Sequence, residues 1–221
     1  MTSRLPLSPV LAQNPVIAVL RASHASEYAP IVDALVAGGV RSIELTLTTQ
    51  GVLDELAGLR TRFGDAAEIG VGTVTTVDEA ERAISAGAEY LVTPVTYPEI
   101  VEYAVQRGVA IYPGGLTPTE LHTGWRLGAA GVKLFPASAV GPGYIGQLRG
   151  PFPDLAVIPS GGVAIDTAPD WIEAGAVAVS LGGPLLGDAF KGGDLGLLRA
   201  RAHRVSRLVA EAVALRASRP R

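Results

Sequence analysis

The chain has 221 residues, of which 48% are hydrophobic, with 18 Lys and Arg against 21 Asp and Glu and no cysteine. These values predict a cytoplasmic domain with a substantial core, and the net charge of −3 argues against a nucleic-acid groove, which needs a clustered basic face. The lack of cysteine excludes disulfide scaffolds, thiolate metal sites and cysteine nucleophiles, and no apolar run reaches the roughly 18 residues that a membrane span needs.

Eight short runs rich in apolar and β-branched residues recur along the chain, and segments with helical spacing separate them. The runs begin 19 to 26 residues apart, which is close to one strand plus one short helix. Their ranges are 16–21, 42–47, 68–74, 90–94, 109–114, 131–136, 156–162 and 176–183.

Eight strand–helix units predict an α/β fold, either a closed (β/α)8 TIM barrel or an open doubly wound sheet. The count favours the barrel, and no G-x-G-x-x-G motif follows the first run, which argues against a dinucleotide-binding sheet. We therefore expect a single domain over residues 1–221. Residues 1–14 form a lead-in without the apolar stretch of a signal peptide, and residues 218–221 form a tail.

Several signals mark where helices begin and end. Thr117, Pro118 and Glu120 predict a capped helix start, because a threonine cap and a glutamate three residues later satisfy each other's amides. The segment from 194 to about 216 predicts an amphipathic helix packed on the core rather than on a membrane, because its apolar face lacks aromatic residues. That face is Leu197, Leu198, Ala202, Val205, Leu208, Val209, Ala212 and Leu215. The glycines predicted to end helices are Gly39, Gly87, Gly108, Gly128 and Gly175.

Two charged residues stand inside apolar strands. Glu44 alternates with apolar neighbours and is expected to point into the barrel, either as a catalytic carboxylate or as the partner of an inner base. Lys133 lies in the sixth strand, and the chain has only two lysines against 16 arginines. Since a lysine amine can lose its proton on burial, Lys133 is a candidate for imine formation; a lysine reaching the barrel mouth or pairing with phosphate stays open. Lys191 lies in a predicted loop next to glycines, which indicates an ordinary solvated residue.

The ends of other strands carry candidate ligand-binding groups. Arg21 can hold a carboxylate in a bidentate contact, and Thr73 follows glycines that admit a ligand close to the backbone. After the last two strands, glycines let backbone N–H groups converge on a phosphate. The three histidines are scattered, so no histidine metal site is expected, while Mg²⁺ bound by carboxylates and water stays open. The phosphate candidates are Ser160, Gly161, Gly162, Gly182 and Gly183.

Over residues 15–190 the motifs occur in the order and spacing of a known family. The chain resembles the class I aldolases that act on 2-keto-3-deoxy-6-phosphogluconate (KDPG), grouped with 4-hydroxy-2-oxoglutarate aldolases. The matching segments are PVIAVLRA at 15–22, AGGVRSIELTLTT at 37–49, IGVGTVTT at 69–76, YLVTP at 90–94, YPGGLTPTEL at 112–121, GVKLFPASAVGP at 131–142, PFPDLAVIPSGGV at 151–163 and VSLGGPLL at 179–186.

The resemblance implies a (β/α)8 barrel, a homotrimer, and cleavage of a phosphorylated keto acid to pyruvate and D-glyceraldehyde 3-phosphate without metal or organic cofactor. It implies that Lys133 forms the imine and that Glu44 is the general acid and base. Arg21, Thr73 and the backbone around Pro94 would hold the pyruvate carboxylate. The glycines after the last two strands, with Ser160, would hold the phosphate.

Two positions depart from the family pattern, and a third is one at which members of the family differ. Thr48 stands where some members have arginine, Gly183 where many have serine, and Val95 where members differ. Cleavage of the 6-phosphogalactonate analogue or of 4-hydroxy-2-oxoglutarate by the same mechanism therefore stays open. A phosphosugar isomerase or epimerase, with Lys133 acting only as a cation, and a catalytically silent barrel are the other readings.

Overall fold

Strands and helices alternate along residues 4–218, which the computed structural model describes. The strands are β1 Val16–Leu20, β2 Ser42–Thr46, β3 Glu68–Gly72, β4 Tyr90–Val92, β5 Ala110–Tyr112, β6 Gly114–Gly115, β7 Val132–Leu134, β8 Val157–Pro159 and β9 Val179–Leu181. The helices are α1 Pro9–Gln13, α2 Tyr28–Ala37, α3 Val52–Phe63, α4 Val77–Ser85, α5 Pro98–Gln106, α6 Pro118–Arg126, α7 Gly143–Arg149, α8 Ala168–Glu173, α9 Gly183–Leu186 and α10 Leu195–Ser218.

All paired strands are parallel, and they form two sheets. One has the order β5-β4-β3-β2-β1-β9 and the other β6-β7-β8. Each of the eight predicted strands is present, but the fifth is divided because Pro113, which has no N–H to donate, separates β5 from β6. Between β8 and β9 the pairing reduces to a parallel bridge from Ser160 to Ser180. The fold is therefore α/β with parallel strands whose hydrogen-bond ladder is interrupted at two places.

The main core lies between the strands and the helices around them. The long helix α10 packs against α2 and α8, and Gly38 lets α10 approach closely, since a Cβ there would lie 2.5 Å from Cβ of Ala202. The apolar face predicted for α10 is partly wrong. Leu197 and Leu215 are 57% and 47% exposed, because the buried stripe is narrower than the run of apolar residues. Its buried members are Leu198, Ala202, Val205, Val209 and Ala212.

A second apolar cluster joins α1 to residues of several strands. Leu11 of α1 is fully buried in it, together with Ile17, Tyr90, Tyr112 and Ile158. The Ser8 hydroxyl caps α1 by accepting a hydrogen bond from the Leu11 amide at 3.0 Å. The lead-in therefore includes a helix that contributes to the core. Residues 1–3, and residues 219–221 of the predicted tail, lie outside the described part of the chain.

The predicted helix ends are confirmed. At the start of α6, the Thr117 amide donates to Glu120 at 2.8 Å, and the Glu120 amide donates to the Thr117 hydroxyl at 3.4 Å. The predicted glycine terminators all have left-handed φ angles between +70° and +114°. Their positions are Gly39, Gly87, Gly108, Gly128 and Gly175.

Candidate active site

A cavity of about 490 Å³ opens where the strands end at their carboxyl termini. The structure brings all ten predicted site residues to its wall, from seven different strands or the loops that follow them. They are Arg21, Glu44, Thr73, Pro94, Lys133, Ser160, Gly161, Gly162, Gly182 and Gly183. The carboxyl end of a parallel sheet is where α/β proteins bind ligands, so this cavity is the candidate active site.

Glu44 and Lys133 meet inside the cavity. The Nζ atom of Lys133 lies 3.8 Å from Oε1 of Glu44, and the two side chains are only 11% and 2% exposed. The Lys133 ammonium also lies 5.3 Å from the centre of the Phe135 ring. The base that pairs with Glu44 is therefore the candidate imine-forming lysine itself, and both side chains are largely buried.

The Glu44 side chain occupies space that a glycine provides. A Cβ atom on Gly72 of the neighbouring strand β3 would overlap Oε1 and Cδ of Glu44, and one on Gly70 would overlap the Tyr90 ring. The prediction that these glycines admit a ligand is wrong for both, since they make room for protein side chains.

Two of the predicted carboxylate-binding residues have unusual settings. Arg21 is exposed and forms no ion pair within residues 4–218, and the segment after it is fixed by a hydrogen bond from the Ala22 amide to Thr49 Oγ1 at 3.1 Å. Thr73 has φ +62°, a left-handed conformation that is rare for a β-branched residue and occurs where surrounding structure enforces it. Thr48 is exposed and is not among the cavity-lining residues.

The backbone around Pro94 is held by its neighbours. Thr93 Oγ1 donates to the Val95 carbonyl at 2.5 Å and accepts from the Gly114 amide at 3.3 Å. A Cβ on Gly114 would overlap the Pro94 carbonyl, so this loop packs directly against β6. The position of Pro94 at the cavity wall is thus set by a side chain and a glycine outside the predicted site.

The loop after β8 requires glycine at both positions of the predicted pair. Gly161 and Gly162 have φ +81° and +85°, and Cβ atoms there would lie 2.9 Å from the Phe135 ring and 2.5 Å from Ser138 Cβ. The loop is held by hydrogen bonds from the Ala137 and Ser138 amides to the carbonyls of Ser160 and Gly161, at 2.8 and 2.9 Å.

The backbone amides of the glycines after β8 and β9 are available to a ligand. In the part of the chain that is described, no protein acceptor is bonded to the N–H groups of Gly161, Gly162, Gly182 or Gly183. Converging free N–H groups are a common means of binding an anion.

The cavity also includes residues that sequence reasoning missed. Thr46 and Ser180 line it, and both could have been found because alternation along their strands places them on the inward face. Ser180 Oγ lies 3.3 Å from Ser160 Oγ. Lys191 also lines the cavity, so its interpretation as an ordinary solvated residue is incomplete. No local signal marks it, because its place depends on how the chain turns back after α9.

The charges at the cavity wall are mostly positive. Arg21, Lys133 and Lys191 line it against one carboxylate, that of Glu44. Within residues 4–218 no group of three or more histidine, aspartate or glutamate side chains is placed to hold a metal ion, and no helix has the length and apolar character to cross a bilayer. The arrangement suits a ligand with a carbonyl group and more than one negative charge.

Comparison with known proteins gives consistent matches over most of the chain. The family model described as KDPG and KHG aldolase matches residues 7–198. The 2-dehydro-3-deoxy-6-phosphogalactonate aldolase of Escherichia coli (strain K12) is 34% identical over 172 residues, covering 77% of this chain and 84% of that protein. The 2-dehydro-3-deoxy-phosphogluconate aldolase of Pseudoalteromonas atlantica is 36% identical over 156 residues, covering 70% and 72%. The native KDPGal structure superposes with a TM-score of 0.84 at 31% identity, covering 90% and 96%.

Proposed function

Because this chain belongs to the KDPG and KHG aldolase family and is a class I aldolase, a carbon–carbon lyase, we propose that it cleaves KDPG into pyruvate and D-glyceraldehyde 3-phosphate. The observation that carries the proposal is the buried pair of Lys133 and Glu44, 3.8 Å apart in a cavity with excess positive charge. Such a pair supplies an amine and a proton acceptor at one place.

In the proposed reaction Lys133 Nζ adds to the C2 carbonyl of the substrate, and loss of water leaves a protonated imine. The electron pair of the C3–C4 bond then forms a double bond between C2 and C3, while the π pair of the C2–N bond moves onto the imine nitrogen. As a base removes the C4 hydroxyl proton, the C3–C4 bond breaks, the C4 oxygen becomes the carbonyl of the departing aldehyde, and C3 becomes part of an enamine. Protonation of C3 and hydrolysis of the imine release pyruvate and restore Lys133.

Glu44 is the group that we assign to these proton transfers. Its carboxylate lies close enough to Lys133 Nζ to reach the groups around C2 and C4, directly or through one water molecule. The Thr46 hydroxyl lines the same wall, because Thr46 lies two residues after Glu44 on β2 and therefore on the same face of the strand. No other carboxylate among residues 4–218 lines the cavity, so no second residue there competes for the role.

The two ends of the substrate are assigned to different parts of the wall. Arg21, Thr73 and the Pro94 backbone would hold the carboxylate, because the exposed Arg21 guanidinium has no ion pair with another described residue and is free to bind it in a bidentate contact. Ser160 and the free amides of Gly161, Gly162, Gly182 and Gly183 would hold the phosphate.

We also infer how the two sheets and the whole chain are organised. Since β5 and β6 are separated only by Pro113, and β8 and β9 are joined by the Ser160–Ser180 bridge, the strands close into one (β/α)8 barrel. The chain over 1–221 is then a single domain. The family resemblance adds a homotrimer with a small-molecule substrate and no cofactor or catalytic metal, and the composition and charge support a cytoplasmic protein without a nucleic-acid or membrane partner.

Trapping of the imine tests the mechanism. The enzyme is incubated with pyruvate and borohydride, and peptide mass mapping locates the reduced adduct. We expect the adduct on Lys133, its loss in Lys133→Arg, and its retention in Lys191→Arg. An isomerase that uses Lys133 only as a cation would keep substantial activity in Lys133→Arg. Aldolase turnover without an adduct on Lys133 would contradict the proposed mechanism.

The substrate is tested with one purified sample. Comparison of kcat/KM for KDPG, its phosphogalactonate analogue and 4-hydroxy-2-oxoglutarate measures the preference directly, because discrimination is a ratio of these constants. We expect KDPG to give the highest value. A higher value for either other compound would reassign the substrate and leave the imine mechanism intact.

A further inference from the structure

We propose that Lys191 is a specificity-determining residue that pairs its ammonium with the phosphate of the substrate. The inference rests on the proposed function and adds a residue that the resemblance does not supply. It starts from the position of Lys191 at the wall of the cavity, on the stretch of chain that continues from Gly182 and Gly183 and includes Phe190.

The segment that carries Lys191 is anchored to the core. It is a short 3-10 turn, Ala189–Lys191, in which Ala189 is buried. The Phe190 ring packs edge-on against Tyr28, with 6.0 Å between ring centres. The Lys191 amide donates to the Asp188 carbonyl at 2.7 Å, which closes the turn. The backbone of Lys191 is therefore fixed, while its four-carbon side chain can adjust to a ligand.

The ammonium of Lys191 is free to take a ligand. It forms no salt bridge within residues 4–218 and is exposed. The two carboxylates next to it in the chain are turned to the backbone, since Asp188 lies against Gly193 and Asp194 accepts a hydrogen bond from the Gly196 amide at 2.6 Å. A lysine kept at a cavity wall without an internal partner suits an anion from outside.

The proposed phosphate end of the cavity has no other assigned cation among residues 4–218. Ser160 and the glycine amides are neutral donors, and Gly183 contributes no hydroxyl; a Cβ built there has no atom within 4 Å, so that space is open. Lys133 is paired with Glu44, and Arg21 is assigned to the carboxylate. Among the described residues that line the cavity, Lys191 is the remaining cation, and a phosphate dianion is bound more strongly by charged donors than by neutral ones.

Removal of the charge tests the proposal against a substrate pair that differs only in phosphate. KDPG and unphosphorylated 2-keto-3-deoxygluconate are compared in wild type, Lys191→Gln and Lys191→Arg. We expect Lys191→Gln to lower kcat/KM for KDPG roughly tenfold through KM, as for a partly exposed charged contact, and to change the value for the unphosphorylated compound less than about twofold. Inorganic phosphate should inhibit Lys191→Gln more weakly than wild type, and Lys191→Arg should keep most of the preference.

Arg126→Gln is the matched control, because it removes one exposed positive charge at the far end of α6. It should leave both substrates unchanged. Equal effects of Lys191→Gln on the two substrates, no effect on either, or a wild type without preference for phosphate would each overturn the proposal. These results are distinct from failure of the proposed function, which would appear as a wild type without a pyruvate adduct on Lys133.

Discussion

Glu44 depends on a residue that carries no functional group. Its carboxylate lies where a side chain at position 72 would be, so glycine on β3 sets the place of the proposed acid and base. Register between the strands produces this contact, because Thr46 pairs with Gly72 and Glu44 with Gly70. The position of the carboxylate relative to Lys133 therefore follows from the neighbouring strand as much as from β2.

Gly72→Ala should lower kcat about 100-fold without removing any charged group, since a displacement of about 1 Å at a catalytic group can cost that much. Steady-state kinetics with KDPG measure the effect, and thermal unfolding checks that the variant folds. Gly58→Ala is the control, because Gly58 is exposed within α3 and a Cβ atom added there would have no other atom within 4 Å. Full activity in Gly72→Ala would show that Glu44 can move without loss.

Some residues of the candidate site could be predicted from the sequence and others could not. Glu44 and Lys133 were predictable because a charged side chain in an apolar strand stands out and alternation gives its face. The role of Gly72 was not, because it depends on the register between two strands. Lys191 was missed for a similar reason, since only the turn after α9 brings it to the cavity.

At the level of elements, the alternation of strands and helices was predictable because each has its own apolar period. The division of the fifth strand was visible only in part. Pro113 is visible in the sequence and cannot donate an N–H to the sheet. Whether the strand divides there depends on how the residues on either side of it pair with the neighbouring strands, which the sequence does not show. The Pro113 carbonyl still accepts from the Lys133 amide at 2.8 Å, so the strand stays next to β7 despite the break.

The packing of helix α1 leads to a prediction about the stability of the protein. Leu11 is fully buried in the second apolar cluster, so Leu11→Ala should lower the free energy of unfolding by about 2–5 kcal/mol, as for other buried leucines. Urea unfolding measures the change. Gln13→Ala, exposed on the same helix, should have little effect. Equal stability of the two variants would mean that α1 does not contribute to the core.

On the scale of the whole molecule, one buried carboxyl group links stability to pH. Glu68 is 6% exposed, and its Oε1 has no hydrogen-bond partner in the described structure. Burial raises the pKa of Glu68 above its usual value, because the charged form loses its hydration. The contribution of Glu68 to the free energy of unfolding therefore falls as pH rises from the ordinary glutamate pKa, about 4.3, through the raised pKa.

Glu68→Gln should remove this dependence, because glutamine does not titrate. The difference in unfolding free energy between Glu68→Gln and wild type should shift in favour of the variant between about pH 4 and pH 8. Urea unfolding of both proteins at the two pH values measures it. Glu55→Gln, exposed on α3, is the control and should show no comparable shift. A constant difference for Glu68→Gln would contradict the prediction.

The positive wall of the cavity has a consequence for the approach of substrate. Arg21 and Lys191 are exposed and unpaired within residues 4–218, so their field extends into solvent over about one Debye length, roughly 8 Å at physiological salt. A substrate with a carboxylate and a phosphate is drawn toward such an opening before it touches the protein, and orients with its charged ends inward. The encounter rate should then fall as ionic strength rises, and kcat/KM, which governs the rate at low substrate concentration, should fall with it.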